Sequence, residues 1–391
     1  MNTISESQEY KEILLKNFTK YVQIWSESNG ELADKGVFPS TPQQFDFAKI
    51  LEQDLISIGM DQVQITKDCY VYARKEATPD MKNLDSILLL AHMDTVDEVS
   101  GKNVKPILTK KDDDIIISSD GSTLLGADDK AGISAIITAA SFILNNKISH
   151  GAFEIIFSPD EETGHGMDKV PLELIKSKYA YTVDGGDLGE METECFNAWS
   201  ANIKFTGKAT HTGTAKAENM VNAALMASNF IANLPRHKAP ETTQNHEGFI
   251  APMKITGGIE TAEVDLLLRA FSIEEINQEK EIVLNLAKTS ELCFGGKAQV
   301  SFTQQYLNMK EKLDENPKVV DRLIKAFDAA KVKIVNTPIR GGTDGSRLTE
   351  MGIPTPNIFT GGHNFHSRSE WCSLNQMAKA ADILVNLVTI K

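Results

Sequence analysis

Short apolar runs that end abruptly in polar, chemistry-bearing residues mark the chain. The run 87–91 ends in His92-Met93-Asp94, and 153–157 ends in Ser158-Pro159-Asp160-Glu161-Glu162. The run 179–183 ends in Asp184-Gly185-Gly186, and 357–359 leads through Gly361-Gly362 to His366. Runs this largely apolar, without a polar face at every second position, predict strands covered by helices on both faces, as in a largely parallel sheet. Ligands of such sheets bind beyond the carboxyl ends of the strands. These four runs deliver carboxylates and imidazoles to that place. Helical spacing predicts helices over 8–25, 41–58, 130–144, 317–330 and 374–387. Thr41-Pro42 reads as an N-cap with proline at the first helical position, and Gly59 follows the helix end.

The stretch 198–306 reads differently. Strands are expected over 202–205, 249–255, 263–271 and 298–305, with helices over 218–233 and 276–288. The order β-α-β-β-α-β is that of a ferredoxin-like split unit. Helices of the first kind then return. The expected fold class is therefore α/β: a mostly parallel mixed sheet flanked by helices, over 1–197 and 314–391, with an inserted ferredoxin-like α+β domain over 198–313. A chain of 391 residues is long enough for two such cores.

Composition narrows the function. Hydrophobic residues at 41% and charged residues at 24% suit a globular chain. A net charge of −14, with no basic run, argues against nucleic acid as a partner. No apolar run reaches the roughly 18 residues that span a bilayer. The polar N-terminus lacks the apolar core of a signal peptide. Cys69, Cys195, Cys293 and Cys372 are dispersed, without a C-x-x-C pair, and suit reduced thiols in a cytoplasmic protein.

His92, Asp128, Glu162, Asp184 and His366 are candidate metal ligands. Zinc takes His and carboxylate donors, and a two-ion site needs one shared carboxylate with about two further ligands per ion. Asp128 is the natural bridge, because it lies in a tight turn, Gly126-Ala127-Asp128-Asp129, that opens the 130–144 helix. Asp94 sits two residues after His92, on the same side of an extended segment. It can accept the second ring N–H and fix the tautomer. Glu161 adjoins the ligand Glu162 and is free to act as general base. Each motif alone has a plain structural explanation: a surface pair, a helix cap, a solvated turn. Four such explanations at four strand ends of one sheet are less economical than one site. His150, His165, His237 and His246 read as surface or structural, and His363 as a neighbour of the site.

At these residues the sequence resembles the peptidase T branch of the co-catalytic zinc metallopeptidases, relatives of carboxypeptidase G, aminoacylase and succinyl-diaminopimelate desuccinylase. The resemblance rests on AHMDT (91–95), SGKNV (100–104), LLGADDKAG (124–132), SPDEE (158–162), YTVDGG (181–186), PIRGGTDG (338–345) and 359–366, and spans nearly the whole chain. It implies an exopeptidase that releases the N-terminal residue of short peptides, tripeptides foremost. It also implies two zinc ions per chain, with cobalt or manganese as substitutes. His92 and Asp184 would hold one ion and Glu162 and His366 the other, with Asp128 bridging and the Asp128-Asp129 peptide cis. Asp94 would orient His92, and Glu161 would be the base. The inserted domain would serve as lid and homodimer surface. It would carry His211 to stabilise the oxyanion, while Arg269 and Arg340 anchor a substrate carboxylate. Two other readings stand beside this one: an N-acyl amino acid or dipeptide hydrolase with the same chemistry, and a zinc-binding homologue without catalysis. Glu161 argues against the second, since a binder needs no carboxylate beside Glu162. The chain departs from the branch in a shorter 103–121 stretch, in Ala270-Phe271-Ser272 after Arg269, and in Thr212 after His211. These differences bear on peptide preference and leave the ligands untouched.

Overall fold

The computed structural model describes residues 3–390. The chain forms two compact units. One comprises the chain through Thr193, Met309–Thr337 and the part from Thr343 onward; the other comprises Glu194–Asn308 and Pro338–Gly342.

The first unit is built on an eight-stranded sheet. In spatial order its strands are Asp61–Ile65, Val71–Lys75, Phe153–Ser158, Ile87–His92, Tyr179–Gly185, Asn357–Phe359, Glu190–Glu192 and Val335–Asn336. Phe153–Ser158 through Asn357–Phe359 run parallel. Antiparallel pairs lie toward both edges. Ile87–His92 and Phe153–Ser158 are buried at every position, because both faces are covered. Leu88 and Leu90 pack with Tyr70, Ile156, Ala180 and Leu348, and the helix Ala127–Asn145 packs against the same strand. The parallel register pairs His92 with Ser158, Leu90 with Thr182 and Val183 with Ile358. The carboxyl ends of the four strands therefore share one rim.

A small antiparallel sheet also belongs to this unit, ordered Gly362–His363, Trp371–Ser373, Asp114–Ser118 and Ile107–Lys111. Periodicity gave no sign of it, since Ile107–Lys111 is exposed at every position. It anchors both ends of the loop that carries His366.

The second unit has strands Phe249–Gly257, Thr261–Ala270, Asn197–Thr206 and Lys297–Tyr306 in spatial order, all antiparallel. Helices Ala223–Ala232 and Ile273–Phe294 pack on them. Phe205, Phe230, Val264, Leu268, Ile276 and Val283 lie in its core. The fold is thus α/β with a mostly parallel mixed sheet, joined to a ferredoxin-like α+β unit.

Several bounds differ from expectation. Lys310–Glu315 packs on Pro317–Ala330 with Leu313 buried, so 309–313 falls in the first unit rather than in 198–313. Pro338–Gly342 falls in the second, where the Ile339 N–H donates to the Glu194 carbonyl. The helix expected from Thr41 begins at Gln43, and Thr41 instead donates to the Glu27 carbonyl (2.7 Å). The helix expected from 218 begins at Ala223, because the Asn222 side chain accepts from the Ala224 and Leu225 N–H groups and caps it there. Among the described residues no helix is long and apolar enough to cross a membrane.

Candidate metal centre

Histidine and carboxylate side chains converge beyond the shared rim. His92 Nε2 lies 2.9 Å from Asp128 Oδ1 and 3.4 Å from Asp184 Oδ1. The other oxygen of Asp128 lies 3.1 Å from His366 Nε2, and Glu162 Oε2 lies 3.1 Å from the same nitrogen. Asp128 therefore stands between the two imidazoles, with Asp184 beside one and Glu162 beside the other. Ligand atoms of His92, Asp128 and Glu162 gather within 4.8 Å of one another, as do those of His92, Glu161 and Asp184. The second trio places Glu161 next to the candidate ligands.

Local backbone choices create this arrangement. Gly126 adopts φ +82°, a left-handed conformation that suits glycine. Asp128 keeps non-helical angles ahead of the helix, and the Asp128-Asp129 peptide is cis. Asp129 turns inward, where its carboxylate accepts the N–H groups of His92 (3.2 Å) and Gly132 (3.1 Å). Asp94 is fully buried. Its two oxygens accept the N–H groups of Glu161 (3.0 Å) and Glu162 (3.1 Å). His92 Nδ1 faces the Asp94 carbonyl at 3.1 Å and Oδ1 at 3.4 Å. Asp94 thus touches His92 and also fixes the backbone of both glutamates. The Asp184 N–H donates to Asn357 Oδ1 (3.0 Å), and the Asn357 amide donates to the buried Glu192 (2.6 Å).

The electrostatics are strained in one direction. Burial, reinforced by Asp128, pushes Glu162 up to about 8 and Asp184 up to about 6. Burial also carries Glu161 well above the carboxylate range, with Asp184, Asp344 and Glu162 adding to it. For Asp128 burial acts upward too, yet the His366 and His92 hydrogen bonds prevail and hold it below its usual range. The Asp128 and Glu162 contacts push His366 up to about 11. Burial pulls His92 down, but Asp184, Asp128 and Asp94 together outweigh it. Glu162 Oε1 is buried without a hydrogen-bond partner. A buried, unpaired carboxylate oxygen is costly. Divalent cations would satisfy it and relieve the crowding, and two imidazoles with several carboxylates form a donor set that zinc accepts.

The remaining predicted residues lie in the second unit. His211 is exposed, and its Nδ1 accepts the Gly213 N–H (3.1 Å). Arg269 is 9% exposed; its Nη1 donates to the Trp199 and Leu268 carbonyls, and its guanidinium lies 5.5 Å from the Tyr306 ring centroid. Arg340 donates to the Asn245 and Glu247 carbonyls and to Thr243 Oγ1, and packs over Phe196. In the first unit, His363 stacks on Trp371 and pairs with Asp187 at 2.6 Å. His165 and His246 form ion pairs with Asp168 and Glu194 away from the centre.

Sequence reasoning gave no role to several buried acids around the centre, Asp129 among them. Asp344, pushed by burial up to about 7, accepts from Ser158 Oγ. It opens a helix after Thr343 and so reads as an ordinary first-turn acid. Glu192 acts on Asp184 through Asn357. Glu370 accepts N–H groups of the turn that carries Asp128. Only its place four residues after His366 could have drawn attention to it.

Comparisons with known proteins show the family of the chain. The model of peptidase family M20/M25/M40 matches residues 88–390. A peptidase T of Clostridium perfringens is 39% identical over 402 residues, covering 96% of this chain and 98% of its own length. The structure of a tripeptidase from Staphylococcus aureus superposes with a TM-score of 0.81 at 26% identity, over 97% of this chain and 98% of that one. The aminopeptidase PepT of Bacillus cereus gives 0.80 at 25% identity, over 97% and 98%.

Proposed function

The chain belongs to peptidase family M20/M25/M40, and from that premise we propose that it is a two-zinc aminopeptidase releasing the N-terminal residue of short peptides, tripeptides foremost. One observation carries the reading. A single carboxylate, Asp128, presents one oxygen to His92 and the other to His366, with Asp184 and Glu162 alongside. That is the ligand pattern of two ions sharing a carboxylate. The peptidase T and tripeptidase likenesses support the substrate class.

His92 and Asp184 would hold one ion, Glu162 and His366 the other, and Asp128 both. When bound, the ions supply Lewis acidity that polarises the peptide carbonyl and acidifies water. Glu161 takes the proton of the attacking water and returns it to the leaving amine. Asp94 positions base and ligand together by holding both of their backbone N–H groups.

The second unit serves as lid and homodimer surface; its edge strand Phe249–Gly257 leaves Met253 and Ile255 exposed, which favours pairing with another copy. His211 stabilises the oxyanion from this chain or from a second copy. Removing it should leave zinc binding intact and lower kcat about 10²–10³-fold. Arg340 and Arg269 anchor the peptide carboxylate; a peptide at Arg340 would exchange with its present carbonyl partners. Cys69, Cys195, Cys293 and Cys372 form no disulfide with one another, which suits the cytoplasm.

The test is a panel of di-, tri- and tetrapeptides, N-acetylated tripeptides and N-acetyl amino acids, given to the zinc-loaded protein. Tripeptides with a free N-terminus should be cleaved fastest. Preferred cleavage of N-acetyl amino acids would replace this reading with an acylase, and no turnover with both ions bound would leave a binding protein.

A further inference from the structure

Glu370 is 1% exposed, and its carboxylate is wholly engaged with backbone. One oxygen accepts the N–H groups of Leu125 and Gly126, both at 2.7 Å; the other accepts the N–H of Asp128 at 3.1 Å. Gly126, in its left-handed conformation, lies among these donors, and consecutive N–H groups around such a residue form an anion-binding nest. Here the anion comes from the chain itself, 242 residues beyond Asp128.

The placement couples two ligands. Glu370 follows His366 by four residues in one loop, while its carboxylate grips the turn that presents Asp128. Across the site, Asp128 Oδ2 and His366 Nε2 stand 3.1 Å apart. Arg368, midway between His366 and Glu370, donates to the Ser122 carbonyl (3.1 Å) and ties the loops a second time. A closed circuit results: Glu370 to the Asp128 backbone, Asp128 to His366, and His366 back along the chain to Glu370. His92 and Asp184 are held by their own strands and by Asn357, and His92 meets the circuit through the other oxygen of Asp128.

We propose that Glu370 is a positioning residue which sets the Asp128–His366 separation, and hence the affinity of the ion those two share with Glu162, with a smaller effect on the His92–Asp184 ion, which shares only the bridging Asp128 with this circuit. This rests on the two-ion reading above. A neutral acceptor would serve less well, because three N–H donors point at two oxygens and only a carboxylate accepts at both.

The experiment is zinc titration calorimetry on the chelator-stripped full chain, with Glu370→Gln and Glu370→Ala beside the wild type and Glu154→Gln as a control. Glu154 is as deeply buried, but its contacts lie at the opposite end of the sheet. In Glu370→Ala the ion held by His366 and Glu162 should weaken about 10- to 100-fold, the range for loss of an outer partner of a metal ligand, while the other weakens several-fold less. Glu370→Gln should fall between Glu370→Ala and wild type, since its amide oxygen still accepts but its NH₂ opposes the Asp128 N–H. Excess zinc should recover kcat in both, and Glu154→Gln should bind both ions as wild type does. If Glu370→Ala does not fold, the near-isosteric Glu370→Gln carries the test. Unchanged affinities in Glu370→Gln overturn the proposal. So does parallel weakening of both ions in step with lost metal-free thermal stability, which is what a merely structural role predicts. A wild-type chain that binds a single ion would instead remove the two-ion reading, and this inference with it.

Discussion

The strand Phe153–Ser158 carries buried acid at one end and leads to buried acid past the other, and the two are solved in different ways. Glu154, near the start, is fully buried. It accepts from Tyr72 Oη (2.7 Å), Lys176 N (2.9 Å) and Ser177 N (2.7 Å), and faces Arg74 at 3.3 Å. Its charge is answered by donors of the protein. Beyond Ser158, Glu161 and Glu162 join Asp94, Asp128, Asp184 and Asp344. There the ion-pair partners are two imidazoles, each shared by several carboxylates. Burial and mutual repulsion raise most of these acids, and Glu162 Oε1 has no partner. A buried acid with a full set of donors holds the fold. A crowd of acids around shared histidines is built for cations.

Substitution of the glutamates should separate the two ends most sharply. Glu161→Gln should lower kcat by about 10²–10⁴, the range of general acid-base catalysis, with zinc content unchanged. Glu154→Gln should do the reverse: full activity per folded molecule, and a loss of stability of about 1–3 kcal/mol from weakened charged hydrogen bonds. Steady-state kinetics and denaturant melts together decide. A Glu161→Gln enzyme with wild-type kcat would remove the base from the mechanism.

Glu162→Gln comes next. It should loosen one ion and leave the other bound, so two adjacent glutamates fail in different ways. Metal analysis after dialysis reads this directly. Retention of both ions by Glu162→Gln, with zinc lost from Glu161→Gln, would reverse the assignment.

The smallest effect is a slope against pH. Glu162 is raised from 4.5 to about 8, so the native, metal-free chain keeps a proton that the unfolded chain has released. That contribution is complete below about 4.5 and lost as pH rises through about 8. His366 has the same sign: its contribution is complete below 6.5 and lost toward about 11. After chelation, Tm should therefore fall between about pH 5 and 8, and saturating zinc should restore it. Glu154→Gln should leave that slope in place. A Tm that climbs across this window without metal would break the contrast between the two ends.

Much of the centre was legible because its residues sit where apolar runs stop. His92, Glu162 and Asp184 follow directly from strand ends in a parallel sheet, and Asp94 from two-residue spacing. Asp128 was legible from the glycine turn before its helix. The supports were not legible, because their partners come from far along the chain: Glu370 holds a turn 242 residues away, and Asn357 holds the Asp184 backbone from 173 away. Single-residue patterns carry no trace of such pairings. The small sheet beside His366 was hidden by the exposure of Ile107–Lys111. Helix starts slipped where a side chain chose the cap, as Asn222 does.

The most direct test is the number of zinc ions the crowded end holds. Elemental analysis and calorimetry on the chelator-stripped, zinc-reloaded chain should give two ions per chain, with a gain in stability of about 2.7 kcal/mol per site at a hundredfold excess over Kd and a matching rise in Tm. His92→Ala and His366→Ala should each remove at least one. A saturating stoichiometry of one ion or fewer, or two ions that survive loss of both histidines, would contradict the account.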